Sequence, residues 1–114
     1  MSDYDTYAEV YDAFYADYDQ DIPFYVTEAQ RAGSPVLELA CGTGRVTVPV
    51  ALAGIEVVGL DSSPTMLERC RERIAPLSRV ERSRVTLVQA DMRRFELGAE
   101  RFTLVYCPFR AFLH

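Results

Sequence analysis

Three carboxylates, Glu38, Asp61 and Asp91, stand in or just after apolar runs, and the glycines Gly42 and Gly44 follow the first of them. A carboxylate inside an apolar strand costs several kcal/mol unless a charged or hydrogen-bonding group meets it, so Glu38 implies a cationic group close by. The two glycines let the backbone turn tightly and come close to a ligand. Asp61 lies 19 positions beyond Gly42, close to the spacing at which an acid at a strand tip accepts from the two hydroxyls of a ribose. A second reading stays open, in which Asp61 serves only a helix start, because Ser63 as cap and Pro64 in the first turn already mark one. His114 is the only histidine; it is a candidate general base or merely a solvated terminal side chain.

These residues need elements to hold them. Val36, Leu37 and Leu39 suit a buried strand that runs into the glycine turn. A helix starting at about Val46 puts Pro49 among the first four residues, where a missing amide costs nothing, and Gly54 ends it. Ile55 to Leu60 reads as the second strand, with Asp61 at its tip. A helix from Met66 and Leu67 then runs to about Ala75, stopped by Pro76. Val85 to Gln89 alternates and branches like a third strand, ending in Ala90, Asp91 and Met92. Gly98 turns the chain, and Phe102 to Tyr106 makes a fourth strand leading into Cys107, Pro108 and Phe109.

The segment before this frame has its own character. Residues 1–34 hold eight acids against Arg31 alone, and Tyr4, Tyr7, Tyr11, Tyr15 and Tyr18 step by three or four along one helical face. A second helix follows, capped by Asp21, with Pro23 in its first turn, Gly33 at its end, and Phe24, Val26 and Ala29 available for packing.

The run Val36 to Gly44, Val-Leu-Glu-Leu-Ala-Cys-Gly-Thr-Gly, resembles motif I of the class I S-adenosylmethionine-dependent methyltransferases, an acid-bearing hydrophobic strand followed by a Gly-x-Gly turn into a helix. The resemblance implies an α/β fold: a doubly wound, Rossmann-like parallel sheet preceded by N-terminal helices. Four strands, in the order 3-2-1-4, are found of the seven in a full member. It divides the chain into a Tyr-rich helical segment, 1–34, and the N-terminal part of a cofactor-binding domain, 35–114. The implied cofactor is S-adenosylmethionine, with S-adenosylhomocysteine as product. Glu38 would face the methionine ammonium, often through water, with Ala40, Gly42 and Gly44 lining the turn. Asp61 would hold the ribose, Ser62 and Met66 would touch the adenosine, and Asp91 with Met92 would read the adenine amino group. Asp91 as a solvated turn acid is the competing reading. Tyr11 and Tyr15 would close over the sulfonium, or else pack the helix against the sheet. The chain lacks the Asn/Asp-Pro-Pro-aromatic signature of methylases acting on amide or base nitrogens, having Tyr106-Cys107-Pro108-Phe109 instead. A small-molecule acceptor is the expectation.

Composition narrows the alternatives. A formal charge of −5 disfavours gripping phosphate backbones, so nucleic acid is not an expected partner. No apolar run has membrane length and no basic, apolar leader is present, which makes a cytoplasmic protein with no membrane partner the default. Cys41, Cys70 and Cys107 lack C-x-x-C spacing, so buried, reduced thiols are expected and no metal site. The competitor class is an NAD-type dinucleotide-binding oxidoreductase domain, which shares strand, glycine turn and later acid. Thr47 at the third glycine position and Glu38 beside the pyrophosphate path count against it. A further alternative is a non-catalytic cofactor-binding fragment. Strand 4 would be an exposed edge, and Arg110 to His114 resembles the start of another helix. A longer natural chain, or self-association of copies through that edge, is the expectation.

Overall fold

Proline and glycine bracket the first element as their backbone chemistry requires. In the computed structural model, which describes residues 21–91 and 101–108, helix α1 (Ile22–Ala32) carries Pro23 in its first turn. It ends at Gly33, whose amide bonds Ala29 O at 2.8 Å. Tyr25 and Ala29 are the residues it buries, whereas Phe24, expected to pack, is 61% exposed. Helical periodicity fixes which residues share a face but not which face turns inward, and here the phase is set by Tyr25 stacking on Tyr106 at 5.3 Å between ring centroids. The expected capping bond from Asp21 is also absent: it occupies the N-cap position without a side-chain cap hydrogen bond.

Four strands, β1 (Val36–Leu39), β2 (Val57–Asp61), β3 (Val85–Gln89) and β4 (Leu104–Tyr106), form one parallel sheet in the order β3-β2-β1-β4. Its register aligns Val36, Val57, Val85 and Leu104 in one row. That row packs with Tyr25, Ala29, Val46, Val50, Ala51 and Ile55, so α1 and α2 (Thr47–Leu52) cover the same sheet face. The next row on this face is Glu38, Gly59, Leu87 and Tyr106. The alternation of β1 therefore carries Glu38 into the core beside apolar neighbours, and β1 is buried along its first three residues.

Pro49 falls third in α2, where no amide is needed, and Gly54 follows the helix with φ of 93°. Helix α3 (Pro64–Ile74) starts as its sequence dictates, with Ser63 Oγ accepting from Met66 N at 3.1 Å. A short helix, α4 (Arg79–Ser83), was not expected. It is opened by a capping box in which Ser78 and Glu81 exchange hydrogen bonds at 3.1 and 2.9 Å, and Ser-x-x-Glu is the local signal that would have found it. Tyr11, Tyr15, Met92 and His114 lie outside the described residues, as does the rest of the tyrosine-rich segment. Among the described residues no helix is long and apolar enough to cross a membrane, and no cluster of side chains suits a metal ion.

Candidate functional site

The carboxyl ends of β1, β2 and β3 lie side by side, and the turn after β1 is the tightest backbone of the three. Ala40, Gly42 and Gly44 all have positive φ, at 53°, 58° and 90°. Gly44 N bonds Cys41 O at 3.1 Å, and Cys41 N bonds Leu60 O at 3.0 Å, which closes the turn and pins it to the second strand. Ala40 pays for a conformation that glycine adopts freely, at roughly 1–2 kcal/mol. Glycine's greater chain entropy offsets part of the relief, so Ala40→Gly is expected to raise stability by about 0.5–1 kcal/mol, read from the denaturant midpoint.

Two thiols fill the space that glycines leave. A Cβ on Gly44 would come within 2.8 Å of Cys70 Sγ, and one on Gly59 within 2.9 Å of Cys41 Sγ. Cys41 and Cys70 are buried free thiols, as expected, while Cys107 is only half-buried. The hydrogen bond that Cys41 donates to Cys70, followed by burial, pushes the Cys41 thiol far above its ordinary range, so this sulfur is inert packing. The contact also places α3 on the same sheet face as Glu38.

Glu38 is fully buried, with 0% exposure. Its Oε1 accepts from Thr47 Oγ1 at 2.8 Å and from the Tyr106 hydroxyl at 3.3 Å, while Oε2 has no hydrogen-bond partner among the described residues. Burial pushes its carboxyl up to about 8, against the two hydroxyl donors and the positive charge of Arg45. The cation expected near Glu38 is thus Arg45, 6% exposed, acting through its field. Its two terminal nitrogens are engaged elsewhere, donating to Asp21 Oδ1 and Oδ2 at 2.7 and 2.9 Å. Thr47, Tyr106 and Arg45 were not singled out as neighbours of this acid from sequence, nor Asp21 as the partner of Arg45. They come from α2, β4, the turn and the start of α1, and only the folded register brings them together.

Asp61 joins two strand ends. Its Oδ2 accepts from Gly42 N and its Oδ1 from Ser63 N, each at 2.9 Å, so one carboxylate braces the glycine turn and the start of α3. Both earlier readings draw on this: the acid does serve the helix start, and each oxygen still has a lone pair for a further donor. Burial raises its pKa, opposed by the backbone amides of Ser63 and Gly42. Ser62 beside it is exposed and Met66 is buried. Ala90 N bonds Asp61 O at 3.0 Å, which sets half-buried Asp91 at the neighbouring strand tip.

A parallel sheet with an acid-bearing first strand, a positive-φ turn and a second acid bracing that turn defines a ligand-binding α/β domain of the nucleotide-binding type. Within that class the chain belongs to the methyltransferase-domain family, whose model matches residues 36–114. It is 33% identical over 92 residues to the YqeM protein of Bacillus subtilis, covering 79% of this chain and 35% of that protein. Its fold is similar to the glycopeptide N-methyltransferase MtfA in complex with sinefungin, with TM-score 0.67 and 40% identity, over 77% of this chain and 35% of that one. It is also similar to the CcbJ methyltransferase of Streptomyces caelestis, with TM-score 0.67 and 34% identity, over 76% and 35% of the two chains. MtfA has been crystallised with S-adenosylmethionine and with S-adenosylhomocysteine as well. The chain spans about a third of the length of these relatives, 35% in each case. The family match disfavours the oxidoreductase alternative.

Proposed function

We propose that this chain binds S-adenosylmethionine and serves transfer of its methyl group to a small-molecule acceptor. The observation that carries the reading is the pair of acids on adjacent strands: Glu38 with one oxygen unpartnered among the described residues, and Asp61 bonded to Gly42 within the glycine turn. Glu38 is read as the acid toward the cofactor's ammonium, Asp61 toward the ribose hydroxyls, and Asp91 with Met92 toward the adenine amino group. Ala40, Gly42 and Gly44 would offer backbone, with Ser62 and Met66 against the adenosine and Tyr11 or Tyr15 toward the sulfonium. The glycopeptide N-methyltransferase MtfA supports an acceptor other than nucleic acid, and the −5 charge of the chain fits that reading.

The cofactor, when bound, supplies an activated methyl carbon bonded to a sulfonium. The chain's own part is alignment. Glu38 and Asp61 fix two ends of one ligand from two strands, and the turn between them is held rigid by the Asp61 carboxylate, which is the kind of positioning a displacement needs. No protein nucleophile is required.

The test is calorimetry of this chain with S-adenosylhomocysteine and, separately, with NAD. Saturable binding of the first and none of the second is expected; NAD binding without S-adenosylhomocysteine binding overturns the reading.

A further inference from the structure

Glu38 and Arg45 are both buried, close enough for the charge of one to act on the other, yet they are not bonded. Oε1 of Glu38 takes its hydrogen bonds from Thr47 and Tyr106, and Oε2 takes none among the described residues. A buried carboxylate beside a buried guanidinium would ordinarily pair with it, because each offsets the other's desolvation. Instead Asp21 holds the guanidinium with two parallel bonds, the geometry in which a carboxylate grips arginine most firmly. Asp21 does so from the N-cap position of α1 while making no capping bond there. Its side chain, 38% exposed, is committed to Arg45, 24 residues away.

We propose that Asp21 is a positioning residue: it retains Arg45 and so keeps the second oxygen of Glu38 open to a cationic group of the ligand. An Arg45–Glu38 pair would hold the acid ionised and satisfied from within the chain and leave nothing for an ammonium to meet. The Arg45 guanidinium holds the Asp21 carboxyl below its ordinary range, so Asp21 stays charged throughout the neutral range and the retention is constant. The inference rests on the reading of this site as one for an amino-acid-bearing adenosyl cofactor. It adds a residue outside the sheet that decides whether the site's own arginine competes with that ligand.

The test compares S-adenosylhomocysteine with its analogue lacking only the amino group, by calorimetry on this chain. Asp21→Asn, which removes the charged pair that holds Arg45 and keeps a good N-cap residue, is expected to weaken S-adenosylhomocysteine about tenfold or more, the scale of a lost charge-assisted contact. The des-amino analogue should lose less than about threefold by the same reasoning. Adding Arg45→Met to Asp21→Asn removes the competitor and is expected to restore discrimination between the two ligands. A role confined to folding would weaken both ligands alike, with no recovery in the double variant, and that result overturns the inference. Asp21→Ser, also a good cap, serves as the same test should Asp21→Asn fail to fold. A wild-type chain that binds neither ligand overturns the functional reading itself, and this inference with it.

Discussion

Glu38→Gln is expected to make the empty protein more stable than the wild type, by a margin that widens as the pH rises. Burial holds the Glu38 carboxyl near 8 in the folded chain, against an ordinary value of 4.5. Below 4.5 both folded and unfolded forms carry the proton, and the glutamate costs nothing. Between 4.5 and 8 the unfolded chain releases its proton while the folded one keeps it, so stability falls with increasing pH. At 1.36 kcal/mol per pH unit, the loss is about 3 kcal/mol at pH 7 and about 5 kcal/mol above pH 8. Glutamine matches the protonated acid in shape and does not titrate. Urea midpoints of both proteins at pH 5, 7 and 8.5 measure the difference; parallel curves would show that Glu38 is ionised in the fold. The same substitution should weaken S-adenosylhomocysteine by about tenfold and spare its des-amino analogue, because an arriving ammonium favours ionisation of the acid and glutamine cannot ionise to meet it. The residue is thus expected to cost stability in the empty protein and to give affinity in return.

Asp61→Ala has the opposite sign on stability. Two amides, Gly42 N and Ser63 N, lose their acceptor together, at roughly 1–3 kcal/mol for each group left buried and unsatisfied. The cofactor loses a charged acceptor as well, and affinity should fall by about tenfold to a hundredfold. Asp61→Asn is expected to rescue little, since its amide nitrogen would face one of two N–H donors that both need an oxygen. Melting curves and S-adenosylhomocysteine titrations of the two variants check this. A loss of stability with affinity unchanged would assign Asp61 to the helix start alone.

The features written locally in the chain were legible in the sequence. Strand β1, the glycine turn, the late start of α2 forced by Pro49, and the Ser63–Pro64 opening of α3 each depend on neighbouring residues only. The strand order was legible through the family resemblance, and the sheet has that order. What escaped was longer in range or finer in grain. Tyr25 rather than Phe24 turns inward because Tyr106, more than eighty positions away, offers a ring to stack on. Glu38 announced that it needed partners but not which, since Thr47 and Tyr106 reach it only through the packing of α2 and the register of β4. Asp21 looked like a cap because an aspartate can serve equally as a helix cap and as the acid of an ion pair. Helix α4 is the exception, a local signal that was present and not used.

Gly44 with Cys70, and Gly59 with Cys41, are interlocked volumes in which one residue's missing side chain is the other's room. An alanine at 59 has no space until residue 41 shrinks and the Leu87 side chain gives way, whereas the sulfur at 70 leaves room only for a glycine at 44, whose φ of 90° disfavours any side chain. In the history of such a chain, position 59 can change as a couple with 41, while 44 stays fixed and only 70 is free to become smaller. The cysteines would then persist or vanish by bulk rather than by reactivity, and a catalogue of sequence variants should show 41 and 59 trading volume across β2 while 70 varies by itself.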